Sequence, residues 1–225
     1  MDGDARSSAP APVRIAPATA APMPLEETAR AARAVAEAAT TLEELREALA
    51  AFEGCNLRLT ATQMVFADGT PGSRVMMVGE APGRDEDLQG LPFVGRSGQL
   101  LDRMLAAIGL DRHSVYIANV VPWRPPGNRD PAPHETAACL PFIKRQIELS
   151  DPDFLVLLGK SAAHTLLETT EGILRLRGRF RPYDTGRRTL HPAYLLRQPL
   201  QKRYAWRDFL MLRTAMDKAP ARNGS

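Results

Sequence analysis

The chain has little cysteine and no long apolar run, and both shortages argue against common classes of protein. Its two cysteines, Cys55 and Cys139, can form at most one disulfide, so a disulfide-stapled secreted domain is not expected. We interpret them as free thiols or as relics of a metal site. No apolar run approaches the roughly 20 residues that span a bilayer, and residues 1–24 lack the compact apolar segment of a secretory signal. We therefore expect a soluble, cytoplasmic protein with no membrane partner.

Two phosphate-binding motifs are also missing. Neither G-x-G-x-x-G nor G-x-x-x-x-G-K-[ST] occurs in the chain, which argues against a nucleotide-binding α/β protein. The motifs described below contain no lysine, so a Schiff-base nucleophile is not expected.

The composition divides the 225 residues into a tail, one domain and a short end. Residues 1–24 are rich in Ala and Pro and poor in large apolar residues, a composition typical of disorder. Since 44% of the chain is hydrophobic, residues 25–218 can form a single domain with a substantial core. Residues 219–225 are expected to be a flexible C-terminus.

Strand and helix patterns alternate along this domain, which predicts an α/β fold. We expect three layers (αβα) with a central, mainly parallel, four-stranded sheet. The candidate strands are residues 74–78, 115–121, 154–158 and 188–190. Helices are predicted over residues 25–39, after Thr41 through a capping box with Glu44, from Ser97 to Gly109, from Pro133, from Ser161, and over residues 200–217.

Positive charge is concentrated between residues 172 and 213, although the net charge of the whole chain is only +3. In that segment Asp184 and Asp208 alone oppose many Arg and Lys residues. Such a concentration indicates a surface for a polyanion or, alternatively, an ordinary solvated face. Residues 174–181 alternate strictly, which predicts a half-buried strand with an arginine face formed by Arg175, Arg177, Arg179 and Arg181.

Several polar or glycine-rich segments follow predicted strands. Residues 79–83 read GEAPG after the first strand, Asn119 comes near the end of the second, and His191 follows the last. Phe93 lies in a loop between glycines. Because the loops at the carboxyl ends of strands carry the chemistry of open α/β sheets, we predict a pocket there for a flat polar ring.

These segments resemble the family 4 uracil-DNA glycosylases of bacteria and archaea. The matching motifs are GEAPG at 79–83, LPFVGRSGQLLD at 91–102, VYIANVV at 115–121, RPPGNRDP at 124–131 and HPAYLLR at 191–197, in the family's order. The resemblance implies a monofunctional DNA glycosylase of base excision repair, which flips uracil out of DNA and hydrolyses its N-glycosidic bond. It also implies DNA containing uracil as the partner and a place at the bacterial nucleoid. We expect the enzyme to be a monomer.

The resemblance assigns base binding to Gly79, Ala81, Phe93 and Asn119. An Asn amide can donate to uracil O4 and accept from N3–H, a pattern that cytosine reverses. Phe93 would stack on the flipped base. The alternatives are that Asn119 only caps the strand-end turn and that Phe93 is a core residue.

The resemblance makes His191 the donor to uracil O2 as negative charge develops. Glu80 and Glu86 are the candidate carboxylates that stabilise the cationic sugar, because Ala81 stands where the family 1 enzymes have an Asp. The alternative for the acidic cluster at residues 85–87 is that its carboxylates are solvated or bind helix N-termini.

The last motif implies contacts with DNA. Leu195, Leu196 or Arg197 would enter the minor groove and fill the gap left by the base, while Lys202 and Arg203 suit phosphates. The two leucines could equally be core residues.

The chain departs from the family at one feature. Family 4 enzymes carry a [4Fe–4S] cluster on four cysteines, but the corresponding positions here are Phe52, Cys55, Trp123 and Cys139. Two thiols cannot hold such a cluster. We therefore predict no iron–sulfur cluster and no other metal or cofactor, with these four side chains forming a hydrophobic plug.

Two questions stay open from the sequence. A catalytically silent protein that binds damaged DNA through the same fold is the alternative function. Gly83 leaves space beside the expected pocket, so hypoxanthine, xanthine or etheno-adducts are further candidate substrates.

Overall fold

The computed structural model describes residues 24–183, 187–190 and 202–220. Its strands form a six-stranded sheet in the order β1-β3-β2-β4-β6-β5. The strands are β1 (Asp68–Gly69), β2 (Val75–Gly79), β3 (Tyr116–Asn119), β4 (Phe154–Leu157), β5 (Arg181–Tyr183) and β6 (Arg187–Leu190). The four central strands run parallel, which confirms the predicted sheet, and two short antiparallel strands extend it at its edges.

Eight α-helices of the described residues accompany the sheet. They are α1 (Leu25–Ala38), α2 (Leu42–Ala51), α3 (Arg84–Gln89), α4 (Arg96–Ala106), α5 (Pro133–Ser150), α6 (Lys160–Leu166), α7 (Ile173–Leu176) and α8 (Lys202–Lys218). None of the helices in this part of the chain is both long and apolar enough to cross a membrane.

Helices cover both faces of the sheet, as the predicted three layers require. Every residue of β2, β3 and β4 is buried, which is typical of central parallel strands. Because side chains alternate along a strand, Met76 and Val78 pack with α1, α2, α5 and α6 on one face. Val75 and Met77 pack with α4 and α8 on the other.

The helix starts agree with the sequence signals only in part. The cap at Thr41 is confirmed, since Thr41 Oγ1 accepts a hydrogen bond of 3.1 Å from the Glu44 backbone N–H. In place of the reciprocal bond of the predicted capping box, the Glu44 carboxylate accepts from Thr40 N at 2.7 Å. The predicted helix starts at Ser97 and Ser161 are each late by one residue. Helices α4 and α6 begin one residue earlier than Ser97 and Ser161, after Gly95 and Gly159, and neither has a side-chain cap.

The predicted arginine-faced strand over residues 174–181 is wrong. Helix α7 occupies the first part of this segment, and Gly178 then adopts a φ of +73°, which interrupts any extended run. The prediction from alternating residues failed here because ion pairs with specific acidic residues position the arginines. Arg177 donates to Asp208 Oδ1 at 2.7 Å, whereas Arg181 pairs with Glu171 at 2.6 Å.

Candidate active site

A cavity of about 310 Å³ opens at the carboxyl ends of β2 and β3. Three loops wall it: the turn after β2, the connection between α3 and α4, and the segment between β3 and α5. The lining residues are Glu80, Ala81, Pro82, Gly83, Glu86, Phe93, Ser97, Asn119, Pro125, Asn128, Arg129, Asp130 and Pro131. The fold thus brings together five of the predicted site residues, which come from three motifs and the acidic cluster, namely Glu80, Ala81, Glu86, Phe93 and Asn119.

Asn119 is the last residue of β3 and pairs in register with Gly79 of β2. Its side chain is nearly buried, with the residue 5% exposed. The Oδ1 atom accepts no hydrogen bond from the described residues. Leaving a buried acceptor unpaired costs about 1–3 kcal/mol, so this oxygen lies ready for a donor that enters the cavity.

Gly79 lies directly beneath the Asn119 amide and the Phe93 ring. A Cβ atom at Gly79 would lie 2.5 Å from Asn119 Oδ1 and 2.5 Å from Phe93 Cζ. Real Cβ atoms essentially never lie within 3.0 Å of such atoms, so any larger residue here would have to displace the ring or the amide. The first three sequence motifs therefore converge on one backbone position.

The Phe93 backbone adopts an unusual conformation. Its φ of 54° lies in the left-handed region, which a bulky side chain rarely occupies. Its carbonyl group packs against α4 so closely that a Cβ at Gly98 would overlap it, at 1.6 Å from the oxygen. Gly98 therefore allows the turn that directs the Phe93 ring into the cavity.

The Glu86 carboxylate joins the turn after β2 to the connection between α3 and α4. The residue is 9% exposed. Its Oε2 accepts from Gly83 N at 3.1 Å, and its Oε1 accepts from Val94 N at 3.0 Å and Gly95 N at 2.9 Å. A Cβ at Gly83 would lie 2.8 Å from Glu86 Oε2, so the space expected beside Gly83 is taken by this carboxylate.

The other acidic side chains near the cavity differ from Glu86. Glu80 is half-buried and lines the cavity, and its carboxylate makes no hydrogen bond or ion pair within the described part of the chain. Asp87 is 3% exposed and accepts from Thr62 N at 2.8 Å and Thr62 Oγ1 at 2.9 Å. Asp87 is therefore neither solvated nor directed at the cavity.

The third wall is held by an ion pair that the sequence did not reveal. The Arg129 guanidinium donates to both oxygens of Glu135 in the first turn of α5, at 2.6 and 2.8 Å. Glu135 is 4% exposed, and the hydrogen bonds from Arg129 lower its pKa. Glu135 also accepts from Ala132 N at 2.7 Å, which fixes the loop to the start of the helix.

Several of the predicted site residues lie outside the described part of the chain or at its limits. His191, Leu195, Leu196 and Arg197 lie outside the described residues. Strand β6 ends at Leu190, immediately before His191 in the sequence. Because β6 runs parallel to β4, its carboxyl end lies at the same end of the sheet as the cavity. Lys202 begins α8, and Arg203 is exposed, with its guanidinium 4.8 Å from the centre of the Tyr204 ring.

The four positions that correspond to cluster ligands lie in one apolar core cluster. Phe52, Cys55, Trp123 and Cys139 are 8%, 2%, 2% and 1% exposed. The two thiols share a hydrogen bond, which lowers the pKa of Cys55. The same hydrogen bond, together with burial, raises the pKa of Cys139 well above its usual value.

These side chains do not fit a [4Fe–4S] cluster, which needs four thiolate ligands or close substitutes. Two of the positions carry aromatic rings, and the Phe52 ring packs against Phe142 with their centres 5.1 Å apart. In the described ranges no group of three or more His, Cys, Asp or Glu residues could hold a metal ion.

The comparisons with known proteins agree with this geometry. The model of the family described as "Uracil DNA glycosylase superfamily" matches residues 66–211. A type-4 uracil-DNA glycosylase of Thermotoga maritima is 41% identical over 160 residues, which cover 69% of this chain and 83% of that protein. The type-4 uracil-DNA glycosylases of Archaeoglobus fulgidus (39%; 75% of this chain, 90% of that protein) and Sulfurisphaera tokodaii (36%; 77% and 84%) are also similar.

Proposed function

The chain belongs to the uracil DNA glycosylase superfamily, and from this premise we propose that it excises uracil from DNA. In the proposed reaction the base leaves the stack, at a cost of a few kcal/mol, and enters the cavity at the ends of β2 and β3. Water then replaces the base at the sugar carbon, and the DNA strand stays intact.

The observation that carries this proposal is the unpaired Oδ1 of Asn119. Uracil presents an N3–H donor beside its O4 acceptor, and one carboxamide can satisfy both. Cytosine presents an acceptor at N3 and a donor at C4, so it would leave the buried amide mismatched. Phe93 and Gly79 support the same assignment, because the ring offers a stacking face beside the amide.

We assign the carboxylate that faces the sugar to Glu80. A dissociative reaction forms a cationic sugar, which a nearby negative charge stabilises. Glu80 lines the cavity without a partner among the described residues, whereas three backbone N–H groups already engage Glu86. Glu86 therefore acts in our proposal by holding the loops in place. The departing uracil needs a donor at O2, and the position of His191 directly after β6 suits that role.

We propose that the enzyme works as a monomer and without an iron–sulfur cluster, and that it acts on DNA in the cytoplasm. The presence of aromatic side chains at two of the four positions, with thiols at only two, supports the absence of a cluster. For DNA contact we retain Leu195, Leu196, Arg197, Lys202 and Arg203, supported by the exposed arginines of α8.

The test is base release from an oligonucleotide that carries one uracil, followed by alkaline cleavage. We expect release by the wild-type chain and a loss of about 10²-fold or more in His191→Ala and in Asn119→Ala. Tight binding of the oligonucleotide without release would instead favour the silent damage-binding protein. Hypoxanthine- and xanthine-containing strands extend the same assay to the further bases expected from the sequence. The Glu86 carboxylate fills the space beside Gly83 on which that expectation rested, so we expect uracil to be released faster than either.

Iron and acid-labile sulfide are measured on the same preparation. We expect neither at a stoichiometric level in a preparation that releases uracil. Release that appears only after loading with iron and sulfide would contradict the cluster-free proposal.

A further inference from the structure

The backbone of the Phe93 loop is held by a side chain that lies outside the cavity lining. Arg112 belongs to a single 3-10 turn, Arg112–Ser114, just before β3. Its Nη1 donates to the Pro92 carbonyl oxygen at 3.1 Å, and its Nη2 donates to the Phe93 carbonyl oxygen. One guanidinium group thus grips two consecutive peptide groups of the loop.

Two carboxylates hold the guanidinium in this orientation. Arg112 Nη1 donates to Asp68 Oδ2 at 2.6 Å, and its Nε donates to Asp102 Oδ1 at 2.8 Å. Asp68 comes from the edge strand β1 and Asp102 from α4, so two separate elements fix the group. The planar, fully charged fork of arginine suits this arrangement in a way that the single ammonium of lysine does not.

The 3-10 turn that carries Arg112 is itself braced. Asp111 Oδ1 accepts from Ser114 N at 2.9 Å, and Ser114 Oγ accepts from Asp111 N at 2.8 Å. The Arg112 side chain is 22% exposed, so its hydrogen bonds are partly shielded from water. Its base is therefore rigid, and its bonds are stronger than those of a freely solvated pair.

Phe93 needs such support because of its backbone conformation. A non-glycine residue in the left-handed region persists only when its surroundings hold it there. Gly98 permits the close approach of the Phe93 carbonyl to α4, but it supplies no hydrogen bond. Arg112 supplies that bond.

We propose that Arg112 is a positioning residue for base release: it anchors the Phe93 carbonyl so that the ring stays over Gly79 and beside Asn119. This inference rests on the proposed function of the cavity. Arg112 does not touch the base in this account and acts only through the Phe93 loop.

A double-mutant cycle with Phe93 tests this dependence. Single-turnover uracil release at saturating enzyme is measured for the wild type, Arg112→Ala, Arg112→Lys, Phe93→Ala and the Arg112→Ala/Phe93→Ala double variant. The temperature is set below the thermal unfolding of all of them. Arg74→Ala is the matched control. Arg74 bonds Asp153 at 2.6 Å, and its side chain is 27% exposed, close to the value for Arg112. It lies just before β2, at the amino-terminal end of the strand and therefore away from the cavity.

We expect Arg112→Ala to slow release by about 10²-fold, the scale of an ångström misplacement in an active site. Arg112→Lys should fall between that variant and the wild type. Once Phe93 is absent, removal of Arg112 should cost less than about 3-fold more, because there is no ring left to position. Arg74→Ala should release uracil at nearly the wild-type rate.

The outcomes separate this inference from the proposed function. Equal losses from Arg112→Ala with and without Phe93, or a normal rate in Arg112→Ala, would overturn the inference alone. Absence of release by the wild-type chain would overturn the proposed function and this inference with it. If Arg112→Ala does not fold, the Arg112→Lys variant is carried through the same cycle, and equal losses would again overturn the inference.

Discussion

At the scale of single residues, the candidate site depends on how closely three residues of different motifs approach one another. Asn119 and Phe93 meet over Gly79, where even a methyl group would lie 2.5 Å from both. The glycine is required by this contact and not by its own backbone, since its φ is outside the left-handed range. The arrangement accounts for a glycine at the end of an otherwise apolar, fully buried strand.

Gly79→Ala should therefore impair the site without unfolding the protein. The added methyl group must displace the Phe93 ring or the Asn119 amide, so we expect uracil release to fall by about 10²-fold. Single-turnover release and thermal unfolding are measured together. Gly172→Ala is the control, because a Cβ there meets nothing within 4 Å; equal rates in the two variants would contradict the account.

At the scale of secondary-structure elements, the cavity is assembled by contacts between elements and not within them. Glu86 in α3 bonds the loop before α4, Arg112 joins β1 and α4 to the same loop, and Glu135 in α5 holds the segment after β3 through Arg129. Each loop of the cavity is thus tied to a regular element by a charged side chain. These contacts give the loops their shape.

The Glu135–Arg129 pair predicts a pH-dependent contribution to stability. Because hydrogen bonds from Arg129 lower the pKa of Glu135 in the folded chain, folding favours the ionised carboxylate. This contribution is complete above the unfolded pKa of about 4.3. It is lost as the pH falls through the lower, folded pKa.

Urea unfolding of Glu135→Gln and the wild type at several pH values measures this effect. We expect the variant to be less stable by about 1–3 kcal/mol at pH 7, with the difference shrinking as the pH falls below about 4. Glu148→Gln, on the same helix, is the control, since its pair with Arg145 is exposed and worth about 0.5 kcal/mol. A difference in the free energy of unfolding that stays constant down to pH 3 would contradict the prediction.

At the scale of the whole molecule, the sheet brings distant motifs to one edge while its two faces form separate cores. The face that packs on α1, α2 and α5 also contains Phe52, Cys55, Trp123 and Cys139. Trp123 begins the segment that leads to the third wall of the cavity, so apolar packing anchors that wall. Burial of the Phe52 and Trp123 rings stabilises this core.

Much of this architecture could be predicted from the sequence, because its signals are local. Continuous apolar runs mark β2, β3 and β4, and the strand ends place Gly79 and Asn119 on one edge. The edge strands β1 and β5 were missed because two or three residues show no periodicity. The alternation of arginines over residues 174–181 wrongly predicted a strand, because ion pairs with Glu171 and Asp208 determine where these arginines lie.

The supports of the site could not be predicted in the same way. The bonds of Arg112 join residues between 10 and 44 positions away in the chain, and no local pattern reports such distances. The left-handed backbone of Phe93 is likewise set by Arg112 and Gly98 from outside the loop. Sequence reasoning thus identified five of the residues that meet in the cavity, but not what holds them there.

The most direct test of the central claim replaces the donor that Asn119 is proposed to bind. Single-turnover release is compared for two oligonucleotides of the same sequence, one with uracil and one with N3-methyluracil, which lacks the N3–H donor. We expect the wild type to release uracil at least about 10²-fold faster than N3-methyluracil, and we expect this ratio to collapse in Asn119→Ala. Equal release of both bases by the wild type, or a ratio that Asn119→Ala leaves unchanged, would contradict the account.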